Sequence, residues 1–194
     1  MQLGEIAEIK TGLVLTRKKA KLESETKATY QLISLHNIHE DGMFNNKPFE
    51  DFRSNSVLDR KYFTEKGDIL FRLTYPHTAV YIKEEYEGLL VPSSFGIIKI
   101  FSNLFHPQYI AWFLNRNYVK YLLKREQRGS VITSTNKNIL KQLEIKGISL
   151  EKQRKIVQLL QLHQKEKQLY EKLMQEKNRM FNHITKIIIE SQGD

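Results

Sequence analysis

The chain has 194 residues, 40% of them apolar, so it can bury one core of ordinary size and still carry an extension, and its composition is not that of a disordered protein. A formal charge of +9 fits a polyanionic partner, with nucleic acid as the first candidate. The absence of cysteine excludes disulfides and thiolate metal sites, and no run approaches the roughly 18 apolar residues that a membrane span needs.

The opening MQLGEIAEIK is charged at once and lacks the apolar stretch of a signal peptide, so a cytoplasmic location is expected. Leu3 to Lys10 predicts a short helix or turn leading into a strand, punctuated by Thr11-Gly12. Arg17-Lys18-Lys19-Ala20-Lys21 is a cationic run in an exposed polar loop, and Tyr30 to Leu35 is strand-like. His36 to Gly42 has turn composition, and Phe49 to Tyr62 is polar and mixed. Further strands are expected at Ile69 to Arg72 after the Lys66-Gly67-Asp68 turn, at Ala79 to Ile82, at Leu89 to Val91 and at Gly96 to Phe101. The last is apolar enough for mid-sheet. His106-Pro107 opens a helix expected to continue to Gly129. A hydroxyl-rich loop from Ser130 to Asn136, a helical turn from Asn138 to Leu143 and a short strand from Leu143 to Ile145 complete the expected α+β domain, residues 1 to 147, with many short strands.

Residues 148 to 194 differ. From Leu150 to Ile189 there is neither proline nor glycine, and Lys, Glu and Gln dominate. With Ile156 at heptad position a, apolar residues recur at Ile156, Tyr170 and Ile184 (a), at Leu159, Leu173, Met180 and Ile187 (d), and at Leu160, Met174, Phe181 and Ile188 (e). His163, Glu166, Lys167 and Lys177 interrupt that stripe. A helix of ~40 residues is ~60 Å long, too long for the small domain to cover, so the stripe is expected to pack on a partner helix rather than fold back.

Enzyme signatures are thin. There is no Gly-rich phosphate loop and no paired-His metalloprotease motif. Glu8-Ile9-Lys10 and Glu144-Ile145-Lys146 have the Glu-x-Lys spacing of some nucleases, which leaves a standalone nuclease with a coiled-coil tail as the alternative. Both tripeptides read more simply as the edges of elements. His36 and His39 lie beside Glu40 and Asp41, but with no other clustered ligand they read as loop histidines, and no metal site is expected. The cationic loops are more informative. Lys10, Arg17, Lys18, Lys19, Lys21, Arg72 and Arg128 can reach phosphates, as can Lys124 and Arg125. Thr74, Tyr75, His77, Ser130, Thr133, Ser134, Thr135 and Asn136 sit in the same loops and are candidates for contacting bases.

Several segments, in this order, resemble the specificity subunit of type I restriction–modification systems. They are Leu3-Gly4-Glu5-Ile6-Ala7-Glu8-Ile9-Lys10-Thr11-Gly12, Gly67-Asp68-Ile69-Leu70-Phe71, then Gly129-Ser130 with Ser134-Thr135-Asn136, Leu140 and Leu143-Glu144-Ile145. The last is Ser149-Leu150-Glu151-Lys152-Gln153-Arg154-Lys155-Ile156-Val157 at the start of the long helix. Such subunits often carry proline just before that helix, where this sequence has Lys146-Gly147-Ile148-Ser149. Full-length members carry two recognition domains and two spacer helices, so the chain resembles a half subunit. The resemblance implies a non-catalytic protein that binds double-stranded DNA and holds methyltransferase subunits, and through them a motor-nuclease subunit, on a bipartite site. It implies no cofactor on this chain, with S-adenosylmethionine, ATP and magnesium used by the partners. It also implies a homodimer through the C-terminal helix.

Overall fold

The computed structural model describes residues 1–45, 47–126 and 135–190. Contacts divide the chain into two compact units, Met1–Arg154 and Lys155–Asp194.

The first unit is built on a four-stranded antiparallel sheet in the order β1-β6-β4-β5. Its strands are β1 (Ala7–Thr11), β4 (Ile69–Arg72), β5 (Ala79–Tyr81) and β6 (Phe95–Ile100). β6 occupies an interior position, as its apolar run predicts, with Ile98 opposite Ile9 on one side and Ile69 on the other. Leu70, Val80 and Ile97 face a core completed by Ile33, Ile82, Leu89, Val91 and Phe95. The alternate residues Ile69, Phe71 and Ile98 are also fully buried. A sheet covered on both faces calls for continuous apolar strands rather than alternation, which is why ILF and GII read so plainly. Helix α4 (Lys137–Gln142) lies over the Gly96 position, where a Cβ would come 3.7 Å from the Leu140 side chain.

Helix α1 (Leu3–Ile6) feeds directly into β1 and packs on α4. The expected single helix after Pro107 is instead two, α2 (Pro107–Leu114) and α3 (Asn117–Glu126). The break falls at Asn115, whose side chain bonds the backbone of Ala79 instead of facing solvent. The strand expected at 89–91 does not form. Leu90 makes isolated bridges to Leu32 and Phe63, and Pro92, which has no N–H to donate, follows at once. The strand expected at 143–145 is likewise reduced to a bridge between Glu144 and Gln2.

A second sheet pairs β2 (Ala28–Leu32) with β3 (Glu50–Ser54), the latter within the stretch that reads as polar and mixed. Tyr30 and Phe52 are opposite one another on its inner face, over a small core of Leu13, Leu32, Leu58 and Leu90.

Helix α5 (Leu150–Glu190) is unbroken over 41 residues. Its first turn belongs to the domain. Gln153 is fully buried; its amide donates to the carbonyls of Leu104 (2.9 Å) and Ile148 (2.8 Å), and its oxygen accepts from the His106 N–H (2.8 Å). In the second unit Leu159, Tyr170, Leu173, Met174, Met180, Phe181, Ile184 and Ile187 are exposed in the single chain, while Ile156 and Leu160 are partly covered. No helix among the described residues is long and apolar enough to cross a membrane.

Candidate nucleic-acid interface

The antiparallel register brings the C-terminal ends of β1 and β4 and the N-terminal ends of β5 and β6 to the same edge of the sheet: Thr11 is opposite Gly96, Arg72 opposite Phe95, and Phe71 opposite Ala79. Four segments leave or arrive there, and backbone hydrogen bonds lock them together. Gly12 N–H donates to Phe95 (3.0 Å), Leu13 to Val91 (2.8 Å), Ser93 to Leu13 (2.8 Å), Leu73 to Ser94 (2.9 Å) and Thr135 to Leu73 (2.7 Å). The approach at Gly12 is so close that a Cβ would stand 2.3 Å from the Pro92 carbonyl oxygen. The loop after β1, the β4–β5 loop and the segment entering α4 thus share one end of the domain, although some 120 residues separate the first from the last.

The β4–β5 loop is tightly built. Arg72 N–H donates to Thr78 (2.8 Å) and His77 N–H to Thr74 (3.0 Å), and the Arg72 guanidinium reaches the Thr74 hydroxyl at 3.3 Å. The Tyr75–Pro76 peptide is cis and His77 has φ of 44°. The His77 ring is buried, parallel to Phe71 at 6.1 Å, with Nδ1 3.3 Å from the Arg72 carbonyl. It therefore organises the loop from inside, whereas Tyr75 stands 59% exposed at the tip. From the sequence the two read as equivalent contact candidates. Burial separates them.

The cationic loop is folded onto the small sheet. A helical turn at Leu15–Arg17 is closed by the N–H groups of Lys18 and Lys19 on the Leu15 carbonyl. Residues 18–20 then run along β3, with Lys19 bridged to Ser54, Asn55 N–H donating to Lys18 (2.9 Å) and Ala20 N–H to Arg53 (3.0 Å). Arg17, Lys19 and Lys21 are exposed and Lys18 half-buried. The outer face of the ribbon carries Thr29 opposite Arg53 and Gln31 opposite Asp51, all exposed. Sequence reasoning missed these polar groups. The signal was the alternation in ATYQL and in EDFRS, the latter masked by its charges. Arg53 is held by Glu23 at 3.2 Å across solvent, a contact of little worth that a phosphate can displace.

Other candidates fall elsewhere. Lys10 lies on the sheet face, 3.0 Å from Glu8, in a belt of paired charges that includes Lys61–Asp59 (2.9 Å) and Lys99–Glu65. Thr135 is buried, and the Asn136 side-chain oxygen caps α4, accepting from the N–H groups of Asn138 (2.9 Å) and Ile139 (3.2 Å). Arg128, Ser130, Thr133 and Ser134 lie outside the described residues. Among the described residues no three His, Asp or Glu side chains group as metal ligands.

A small antiparallel sheet with loops gathered at one end, continued by one long helix, is a fold also seen in solved specificity subunits of type I restriction–modification systems. The structure aligns over 89% of the chain with the HsdS subunit from Thermoanaerobacter tengcongensis (15% identity, TM-score 0.65) and with a chain from a structure of type I R-M complex assembly and conformational transition (16% identity, TM-score 0.65). The S subunit of the type I system from M. genitalium aligns over the same share, with 16% identity and a TM-score of 0.53. At these identities it is the fold that is shared. The alignments cover 43%, 43% and 40% of those chains, so this chain spans less than half the length of each. No protein-family model matches the sequence, and no curated protein matches it.

Proposed function

We propose that this chain is a DNA-recognition subunit of a type I restriction–modification complex, with one target-recognition domain and no catalytic site of its own. The observation that carries this reading is the shared fold along nearly the whole chain, domain and long helix together. The exposed cations Arg17, Lys19 and Lys21 and the exposed Tyr75 tip supply groups of the right chemistry for phosphates and base edges. In this role the chain holds methyltransferase subunits, and through them a motor-nuclease subunit, on double-stranded DNA. S-adenosylmethionine, ATP and magnesium are bound by those partners and not by this chain. The exposed stripe on α5 supports a homodimer that supplies two recognition domains per complex.

A two-fold dimer imposes two-fold symmetry on its target, so the site is expected to be two inverted half-sites separated by a gap of fixed length. Methylome sequencing of cells expressing this chain with its methyltransferase tests this. A bipartite inverted motif that disappears when the chain is deleted is expected. Unchanged methylation on deletion would sink the proposal.

A further inference from the structure

The ribbon of β2 and β3 has two unlike faces. Tyr30 and Phe52 pair on the inner one, over Leu13, Leu32, Leu58 and Leu90. On the outer face Thr29 stands opposite Arg53 and Gln31 opposite Asp51, and the alternation of the pleat puts all four on one side. Lys27 and Asn55 follow just beyond the Ala28–Ser54 pair, and all six are exposed. Each carries a hydrogen-bonding group, and no large apolar side chain interrupts them.

We infer that this outer face reads bases in the major groove of duplex DNA, with Arg53 on a guanine and Gln31 on an adenine. The inference rests on the DNA-recognition reading above and names residues that carry its specificity. Paired strands lie about 4.8 Å apart, and a major groove about 12 Å wide admits a two-stranded ribbon. Cations line one flank. Residues 18–20 run along the free edge of β3, where Asn55 N–H donates to the Lys18 carbonyl (2.9 Å) and Ala20 N–H to that of Arg53 (3.0 Å). Lys18, Lys19 and Lys21 therefore lie beside the ribbon, on the side where a groove wall presents phosphates.

The mixture of groups separates base reading from phosphate gripping. A guanidinium can serve either purpose, but the Asp51 carboxylate, two residues from Arg53, would repel a phosphate. On the floor of the groove it has a partner, the amino group of cytosine. The Arg fork matches O6 and N7 of guanine, and the Gln amide matches N6 and N7 of adenine. Arg53 and Gln31 are diagonal neighbours across the ladder, about 7–8 Å apart. That is about two steps of roughly 3.4 Å along the duplex, so the guanine and the adenine belong to one half-site. Glu23 holds one guanidinium nitrogen of Arg53 at 3.2 Å, and exchanging that solvent-exposed contact for a base edge costs little.

Methylome sequencing of cells carrying the wild-type chain and its methyltransferase gives the half-site. The complex is then titrated with that duplex, with its single-base variants and with a random-sequence duplex. Arg53→Ala and Gln31→Ala are each expected to weaken binding to the cognate duplex about 10- to 100-fold. Each should also abolish discrimination at one base pair, a guanine for the first and an adenine for the second, while binding to the random duplex changes about threefold or less. Arg53→Lys keeps the charge and loses the fork, so it should fail at the same guanine, whereas a phosphate contact would survive it. Lys21→Ala should weaken both duplexes alike. All these side chains are exposed, so the urea midpoint is expected to stay at the wild-type value. Wild-type discrimination in Arg53→Lys, or equal weakening of both duplexes by the alanine variants, overturns the ribbon as reader and leaves the recognition subunit standing. Loss of methyltransferase association in place of lost discrimination makes the face a protein contact and also overturns it. A wild-type complex with no sequence preference overturns the recognition reading itself, and the ribbon with it.

Discussion

The side-chain amide of Asn115 brackets the backbone of Ala79: its oxygen accepts from the Ala79 N–H at 2.8 Å and its nitrogen donates to the Ala79 carbonyl at 2.7 Å. β5 is the outer strand of its sheet, so Asn115 takes the place of a further strand just where the Tyr75 loop returns. Gly42, at φ of 82°, packs over the pair, and a Cβ there would stand 2.3 Å from the Ala79 carbonyl oxygen.

Asn115→Ala leaves both Ala79 groups unpaired beneath that cover. A loss of about 2–3 kcal/mol in stability is expected by urea unfolding. Asn115→Asp keeps the acceptor but faces a carbonyl with a carboxylate, and is expected to be at least as costly. A change within ~0.5 kcal/mol for both variants would show that water replaces the amide.

Asp68 closes the turn before β4, accepting from the Glu65 N–H at 2.9 Å, and is almost wholly buried. Burial raises its carboxyl to about 6, against the pull of the Glu65 N–H and Lys99. The folded state therefore holds a proton that the unfolded chain has lost between about pH 4 and 6. Stability contributed by this group is greatest below that window and falls as pH rises through it. The decline is expected to be on the order of 3 kcal/mol and to flatten above about pH 7. Asp68→Asn should remove that slope from the difference between mutant and wild type. If the slope is unaltered, Asp68 is not its source.

Charge reversal at Arg17, Lys18 and Lys19 together should weaken DNA binding on specific and random duplexes alike. It should also reduce the slope of log affinity against log salt by roughly 2–3. Titrations at several salt concentrations, with the methyltransferase present, measure both. An unchanged slope removes this loop from the interface.

Tyr75 and His77 share one loop but are expected to fail differently. Tyr75→Ala, at an exposed tip, should leave stability within ~0.5 kcal/mol and reduce DNA affinity by about 1 kcal/mol, the scale of one lost hydrogen bond to the duplex. His77→Ala removes a buried ring parallel to Phe71 and should lower stability by a few kcal/mol, about 2–4. Affinity loss without destabilisation in His77→Ala would reverse these assignments.

The elements legible from sequence were those whose stability is local or whose burial is complete. The run GIIKIF announced an interior strand, found one residue earlier at Phe95–Ile100, because both its faces are covered, and the helix from Leu150 onward announced itself by composition and heptad spacing. Gly67-Asp68 marked its turn because φ of 95° at Gly67 suits glycine alone. Only the tertiary structure decided the rest, because each outcome depends on a segment far away in the chain. Leu89 to Val91 has strand composition, yet Leu90 is shared between Leu32 and Phe63 and joins no regular ladder. Asn115 ends a helix because its amide is claimed by Ala79. Gln153 looks like one more polar helix residue, yet it is buried and bonded to three backbone groups. His77 and Tyr75 are near neighbours of similar chemistry, and packing against Phe71 turned one inward and left the other at the tip. Periodicity records which face a local element buries. It carries no record of which distant backbone group a polar side chain will find, and in this protein such bonds shape the end of the sheet where the loops meet.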